Sequence, residues 1–103
     1  MSEKKSSREL AEEAVAHARA AIEAGHGRMD VRWEKWSREF NLGLRARAES
    51  EPEVMGVFTL WALLSRAIEM KAAGKAPSSD DVESIRFTLS EVGAKGLDIG
   101  FLE

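Results

Sequence analysis

The run Val54-Met55-Gly56-Val57-Phe58-Thr59-Leu60-Trp61-Ala62-Leu63-Leu64-Ser65 decides the architecture. It is twelve residues without a charge, the longest such run in the chain. A bilayer span needs roughly 18 to 20 apolar residues, so the run is not a membrane helix. Val54, Met55, Val57, Phe58, Leu60, Trp61, Ala62, Leu63 and Leu64 leave almost no polar face over three helical turns, and Ala67, Ile68 and Met70 carry the pattern on to Gly74. A helix that is apolar all round must be covered on all sides. Upstream, Ser50 and Glu53 stand in capping-box spacing and Pro52 lies in the first turn, where its missing amide proton is harmless. The helix is therefore predicted to begin near Glu51. Downstream, residues 74–79, with Pro77, read as a short linker.

Working outward from that helix, three more segments show helical periodicity. Ser6 and Glu9 form a capping-box pair, and Leu10, Ala11, Ala14, Val15, Ala18, Ala21 and Ile22 follow at steps of three and four until Gly25 and Gly27. The stripe is mostly alanine, which allows close helix approach but buries little area per contact. From Asp30, the expected N-cap, to Ala48, the residues Met29, Trp33, Trp36, Phe40 and Leu44 share one arc, while Arg28, Arg32, Lys35, Arg38 and Arg45 lie opposite. Asn41 and Gly43 weaken this helix and are expected to bend it or end it early. Asp80 and Glu83 give a third box-like start, followed by Val82, Ile85, Leu89 and Val92. The rival here is a strand, since Ile85, Phe87 and Leu89 alternate with Arg86 and Thr88. The start signal and the length favour a helix, which leaves Phe87 on its polar face.

These segments predict an all-α chain, a small helical bundle of about four helices that forms a dimer. The 103 residues form a single helical domain spanning 1–103, with a flexible start over 1–6 and an apolar tail over 97–103. Hydrophobic content of 44% beside 32% charged residues is that of a globular domain and excludes a disordered chain. The start of the chain has no apolar stretch of the kind a secretory signal requires, so a cytoplasmic location is expected.

The chemical inventory is sparse. There is no cysteine and no tyrosine, and His17 and His26 are the two histidines. Thiolate metal sites, disulfides and cysteine nucleophiles are excluded, and most nucleophile–base pairs cannot be assembled. Glu13 and His17 lie one turn apart as metal ligands could, but no second such pair completes a site. The pairs Glu12 with Glu13 and Asp80 with Asp81 fall in or near first helical turns, where the helix dipole favours negative charge. No glycine pattern matches a phosphate cradle. The expectation is no enzyme, no cofactor, no metal and no catalytic residue.

Charge offers one alternative. Residues 28–47 hold six basic side chains against Asp30, Glu34 and Glu39, a local +3 within a chain of net −3. A small DNA-binding dimer using the basic face of the second helix is therefore the rival function, opposed by the acidic remainder.

The aromatic and aliphatic surplus carries the main reading. Trp33, Trp36 and Phe40, with Phe58, Trp61 and Leu64, read as two faces of one core or a dimer seam. Off-stripe Leu42, the isolated Phe87, and Leu97, Ile99, Phe101 and Leu102 in the tail exceed what a four-helix monomer should hide. Phe87, Leu97, Ile99, Phe101 and Leu102 are accordingly the expected partner-binding residues, the alternative for the tail being that it folds back and covers the dimer core.

The Ala-rich opening helix, the Trp33 to Phe40 segment, the apolar run from Val54 to Leu64 and the tail from Leu97 to Leu102 together resemble the small all-helical anti-activators of bacterial quorum sensing. The resemblance is to the whole chain and rests on no single motif. It implies a helical homodimer that binds a LuxR-type transcription regulator and blocks its dimerisation and DNA binding. It also implies no cofactor and no catalysis, while the acidic remainder and the short apolar run lead to the expectation of no direct contact with nucleic acid and no membrane association.

Overall fold

The computed structural model describes residues 5–24 and 31–102. Asp30, Met29, Arg28, His26, Gly25 and Gly27 lie outside the described residues, as do positions 1–4 and 103. Four α-helices follow in chain order: α1 (Ser7–Ala24), α2 (Val31–Ala48), α3 (Met55–Ala72) and α4 (Ser79–Glu91). One-turn 3₁₀ segments lie at Pro52–Val54 and Gly100–Leu102. Residues 82–92 take no part in a strand; they belong to α4 and the turn that ends it.

α3 is the organising element, with α1 and α4 packed extensively on it and α2 joined to both α1 and α3. The radius of gyration, 13.2 Å, is about that of a compact domain of this length. Val57, Leu60, Leu64, Ala67 and Ile68 of α3 are buried. They meet Leu10, Ala11, Ala14, Val15 and Ala18 of α1, Trp33, Phe40 and Leu44 of α2, and Val82, Ile85 and Leu89 of α4 in one core. Complete coverage of α3 is not what this packing produces. Met55, Thr59, Ala62, Arg66 and Glu69, spaced three and four apart, form an exposed strip, and Phe58, Trp61 and Leu63 are half-buried. The run reads as apolar all round because its exposed positions include a methionine and an alanine in place of charges.

Local signals explain most helix ends. At α1 the Glu9 amide donates to Ser6 Oγ at 3.1 Å and the Ser6 amide donates to Glu9 Oε1 at 3.3 Å, a reciprocal capping box. Lys5, expected in a flexible start with Ser6, is tied in as well: its Nζ lies 2.6 Å from Glu13 Oε2, and its carbonyl accepts from Arg47 Nη1. α2 runs through Asn41 and Gly43 without ending, its last turn being held by Arg47, which grips Glu51 with two parallel bonds of 3.1 Å.

Two starts differ from expectation. Ser50 caps nothing; its hydroxyl lies 3.4 Å from the Arg47 carbonyl, and the chain enters α3 through the 3₁₀ turn opened by Pro52. Proline fixes the backbone angle there, so the turn forms without a side-chain cap. At α4 the N-cap is Ser78, whose Oγ accepts from the Asp81 amide at 3.1 Å. Asp80 lies inside the first turn. A serine at the N-cap serves as well as an aspartate, and Pro77 before it is buried and anchors the entry.

α3 and α4 both end in a left-handed glycine, Gly74 at φ +76° and Gly93 at φ +79°. The Lys75 amide reaches back to the Met70 carbonyl and the Ala94 amide to that of Leu89, a termination that any Cβ at the glycine would strain.

Candidate functional site

The tail folds back onto its own domain. Ile99 and Leu102 are 3% and 0% exposed, within the same core as Leu60 and Leu64. Leu97 and Phe101 are half-buried against that core. Arg19 of α1 clasps the tail from outside: its Nη2 lies 3.3 Å from Asp98 Oδ2, and its guanidinium carbon sits 5.3 Å from the centre of the Phe101 ring. The Gly100 amide donates to Asp98 Oδ1 at 2.8 Å, and this bond, with Arg19 beside it, holds the Asp98 carboxyl below its ordinary pKa. Of the five residues expected to bind a partner, Phe87 alone stands fully on the surface, at 67% exposure on the outer side of α4. Leu42 and Met55 are the other large apolar side chains exposed among the described residues.

The aromatic residues separate into two environments. On the α1 side, Trp33, Trp36 and Phe40 form a ladder along α2, with ring centres 5.1 and 4.3 Å apart. His17 of α1 stacks on Trp36 at 4.4 Å, its ring within 15° of parallel. The Trp36 indole donates to Glu13 Oε1 at 3.0 Å, so Glu13 accepts from both Lys5 and Trp36. Burial pushes the Glu13 carboxyl up. The two hydrogen bonds and the electrostatic pull of Lys5 and His17 outweigh that, and its pKa falls below the ordinary value. Glu13 and His17, spaced as ligands could be, are thus engaged by the aromatic ladder. No cluster of three potential metal ligands exists among the described residues.

On the α3 side lies a cleft of about 420 Å³ between α2 and α3, within the size range of small-ligand sites. Trp33, Trp61 and Ile68 are its apolar lining residues. Between the helices runs a polar seam. Ser37, itself buried, accepts from Trp61 Nε1 at 3.0 Å. One turn further along each helix, Asn41 Oδ1 and Ser65 Oγ are covered by protein and have no hydrogen-bond partner. Glu34, Glu69 and Arg38 stand on the cleft's margin. The arrangement offers acceptors and aromatic faces, without a nucleophile–base pair.

Of the six residues expected in a core or seam, Trp33, Phe40 and Leu64 are buried, and Trp36, Phe58 and Trp61 are half-buried against them. The seam residues Ser37, Asn41 and Ser65 were not legible as a group. Their signal is a pair of polar positions four apart on α2 within an apolar stripe, facing a serine four residues after Trp61.

No helix among the described residues is long and apolar enough to cross a membrane. No protein-family model, no curated protein and no solved structure matches the chain.

Proposed function

We propose that the chain is a non-catalytic protein-interaction module, acting as a cytoplasmic homodimer, that binds a LuxR-type transcription regulator and blocks its dimerisation and DNA binding. The supporting observation is Phe87. It is two-thirds exposed on a helix whose opposite face, Val82, Ile85 and Leu89, already meets the core. The fold gains nothing from a phenylalanine there, whereas covering it at an interface contributes about 1.5 to 3 kcal/mol. The half-buried Leu97 and Phe101 widen the candidate partner surface, and exposed Leu42 and Met55 are candidates for the seam between two copies.

A gel-shift assay tests the reading. Wild-type protein at saturation should abolish DNA binding by a LuxR-type regulator, and Phe87→Ala should need at least tenfold more protein to do so, as expected for loss of an anchor. Unchanged DNA binding by the regulator overturns the anti-activator reading. Sedimentation equilibrium tests the homodimer, and a monomer mass at tens of micromolar overturns it.

The rival, direct DNA binding, draws on exposed Arg32, Lys35, Arg38 and Arg45 along α2. It requires affinity for bare DNA that falls steeply with salt.

A further inference from the structure

We propose that the α2–α3 cleft is a binding site for a guanidinium group. The inference goes beyond the interaction reading and stands on different residues. Two buried oxygens, Asn41 Oδ1 and Ser65 Oγ, are left without partners in the cleft's walls. A buried acceptor without a donor is costly, and apolar side chains at these two positions would extend the core seam without that cost. The polar seam is therefore a disadvantage to the fold alone, and a ligand rich in N–H donors removes the disadvantage. Both oxygens are covered as they stand. The serine hydroxyl swings about one bond and the carboxamide turns about its χ2, and the proposed site requires these rotations to present both oxygens to a donor in the cleft.

Three features select a guanidinium among donors. Trp33 and the half-buried Trp61 line the space, and a planar, weakly hydrated cation packs against an indole better than an ammonium does. Its five N–H groups, fixed in one plane, can serve several acceptors together. The cleft's margin carries Glu34 and Glu69 against the single cation Arg38, leaving an excess of one negative charge to favour a cation. Ser37 is already committed to Trp61, which keeps the two helices in place while Asn41 and Ser65 turn.

The test is a ¹H–¹⁵N NMR titration of the full chain with N-acetyl-L-arginine amide, free L-arginine and N-acetyl-L-lysine amide. The Trp33 and Trp61 indole resonances should move saturably with an arginine compound and much less with the lysine compound. Response to the amide alone assigns the source as an arginine within a polypeptide. Response to free arginine alone assigns it as the amino acid, and response to both assigns the guanidinium irrespective of its carrier. Ser65→Ala should weaken binding about tenfold, the worth of one hydrogen bond to a charged group, and should melt no lower than wild type because an unpartnered hydroxyl is gone. Absence of saturable shifts at tens of millimolar, an equal response to the lysine compound, or undiminished binding by Ser65→Ala overturns the proposal. None of these outcomes bears on whether Phe87 meets a regulator.

Discussion

The indole of Trp36 donates to Glu13 at 3.0 Å while its ring lies against His17 from the same helix as Glu13, so one side chain of α2 grips two successive turns of α1. Trp36→Phe retains an aromatic ring for the stack and removes the donor. It should cost about 1 to 2 kcal/mol, measured by chemical denaturation at neutral pH.

The same carboxylate sets a pH dependence. Glu13 has its pKa depressed in the folded chain, so its contribution is fully present above the unfolded carboxyl value and is lost as pH falls through the folded one. Thermal melts from about pH 6 down to about pH 3 should show Glu13→Gln losing less stability on acidification than wild type. An identical acid limb in the two proteins would contradict the bonding described for Glu13.

Leu102 and Phe87 should respond oppositely to truncation. Leu102 is fully buried, so Leu102→Ala should destabilise by about 2 to 5 kcal/mol. Phe87→Ala should stay within about 0.5 kcal/mol of wild type, as for a surface change. Urea titrations of the two variants check both values, and a Leu102→Ala variant as stable as wild type would deny the docked tail.

Helix caps provide a second paired comparison. Ser78→Ala removes the bond to the Asp81 amide and should cost about 1 kcal/mol. Ser50→Ala removes only the long contact to the Arg47 carbonyl and should change stability by less than about 0.5 kcal/mol. Melting curves in the same buffer suffice to rank them.

Gly56 of α3 lies against Val92, the residue that caps the end of α4. A Cβ there would lie 2.8 Å from Val92 Cγ1, below any normal contact. Gly56→Val should destabilise by about 1 to 3 kcal/mol, and adding Val92→Ala should recover part of the loss. Additive losses in the double variant would place the strain elsewhere.

The four helices were legible because each carries its apolar residues at helical spacing, and the Ser6–Glu9 box was legible because both partners are local in sequence. The start of α4 was harder: Ser78, Ser79, Asp80 and Asp81 are all capable caps, and only the backbone path chooses Ser78. The exposed strip on α3 could not be read from composition, since Met55 and Ala62 look the same in sequence whether they face a neighbour or water. Phe87 stood out because it breaks the pattern of its own helix. The tail was ambiguous for the opposite reason, as Ile99 and Leu102 could satisfy any apolar surface, and nothing local in sequence pairs Asp98 and Phe101 with Arg19 of α1. The cleft needed two helices to be paired in register before Asn41 and Ser65 became neighbours of one space.

The alanine stripe of α1 sets how the domain breathes. Ala11, Ala14 and Ala18 are completely covered, yet each surrenders little apolar surface when the helix leaves α3. Leu10 and Val15 of the same helix are buried too, and side-chain bonds at its edges, Glu13 to Trp36 and Arg19 to Asp98, add to the hold. An alanine-rich face gives up less apolar surface on opening than the larger side chains of α3 do, so the amide protons of α1 should exchange with solvent before those of α3.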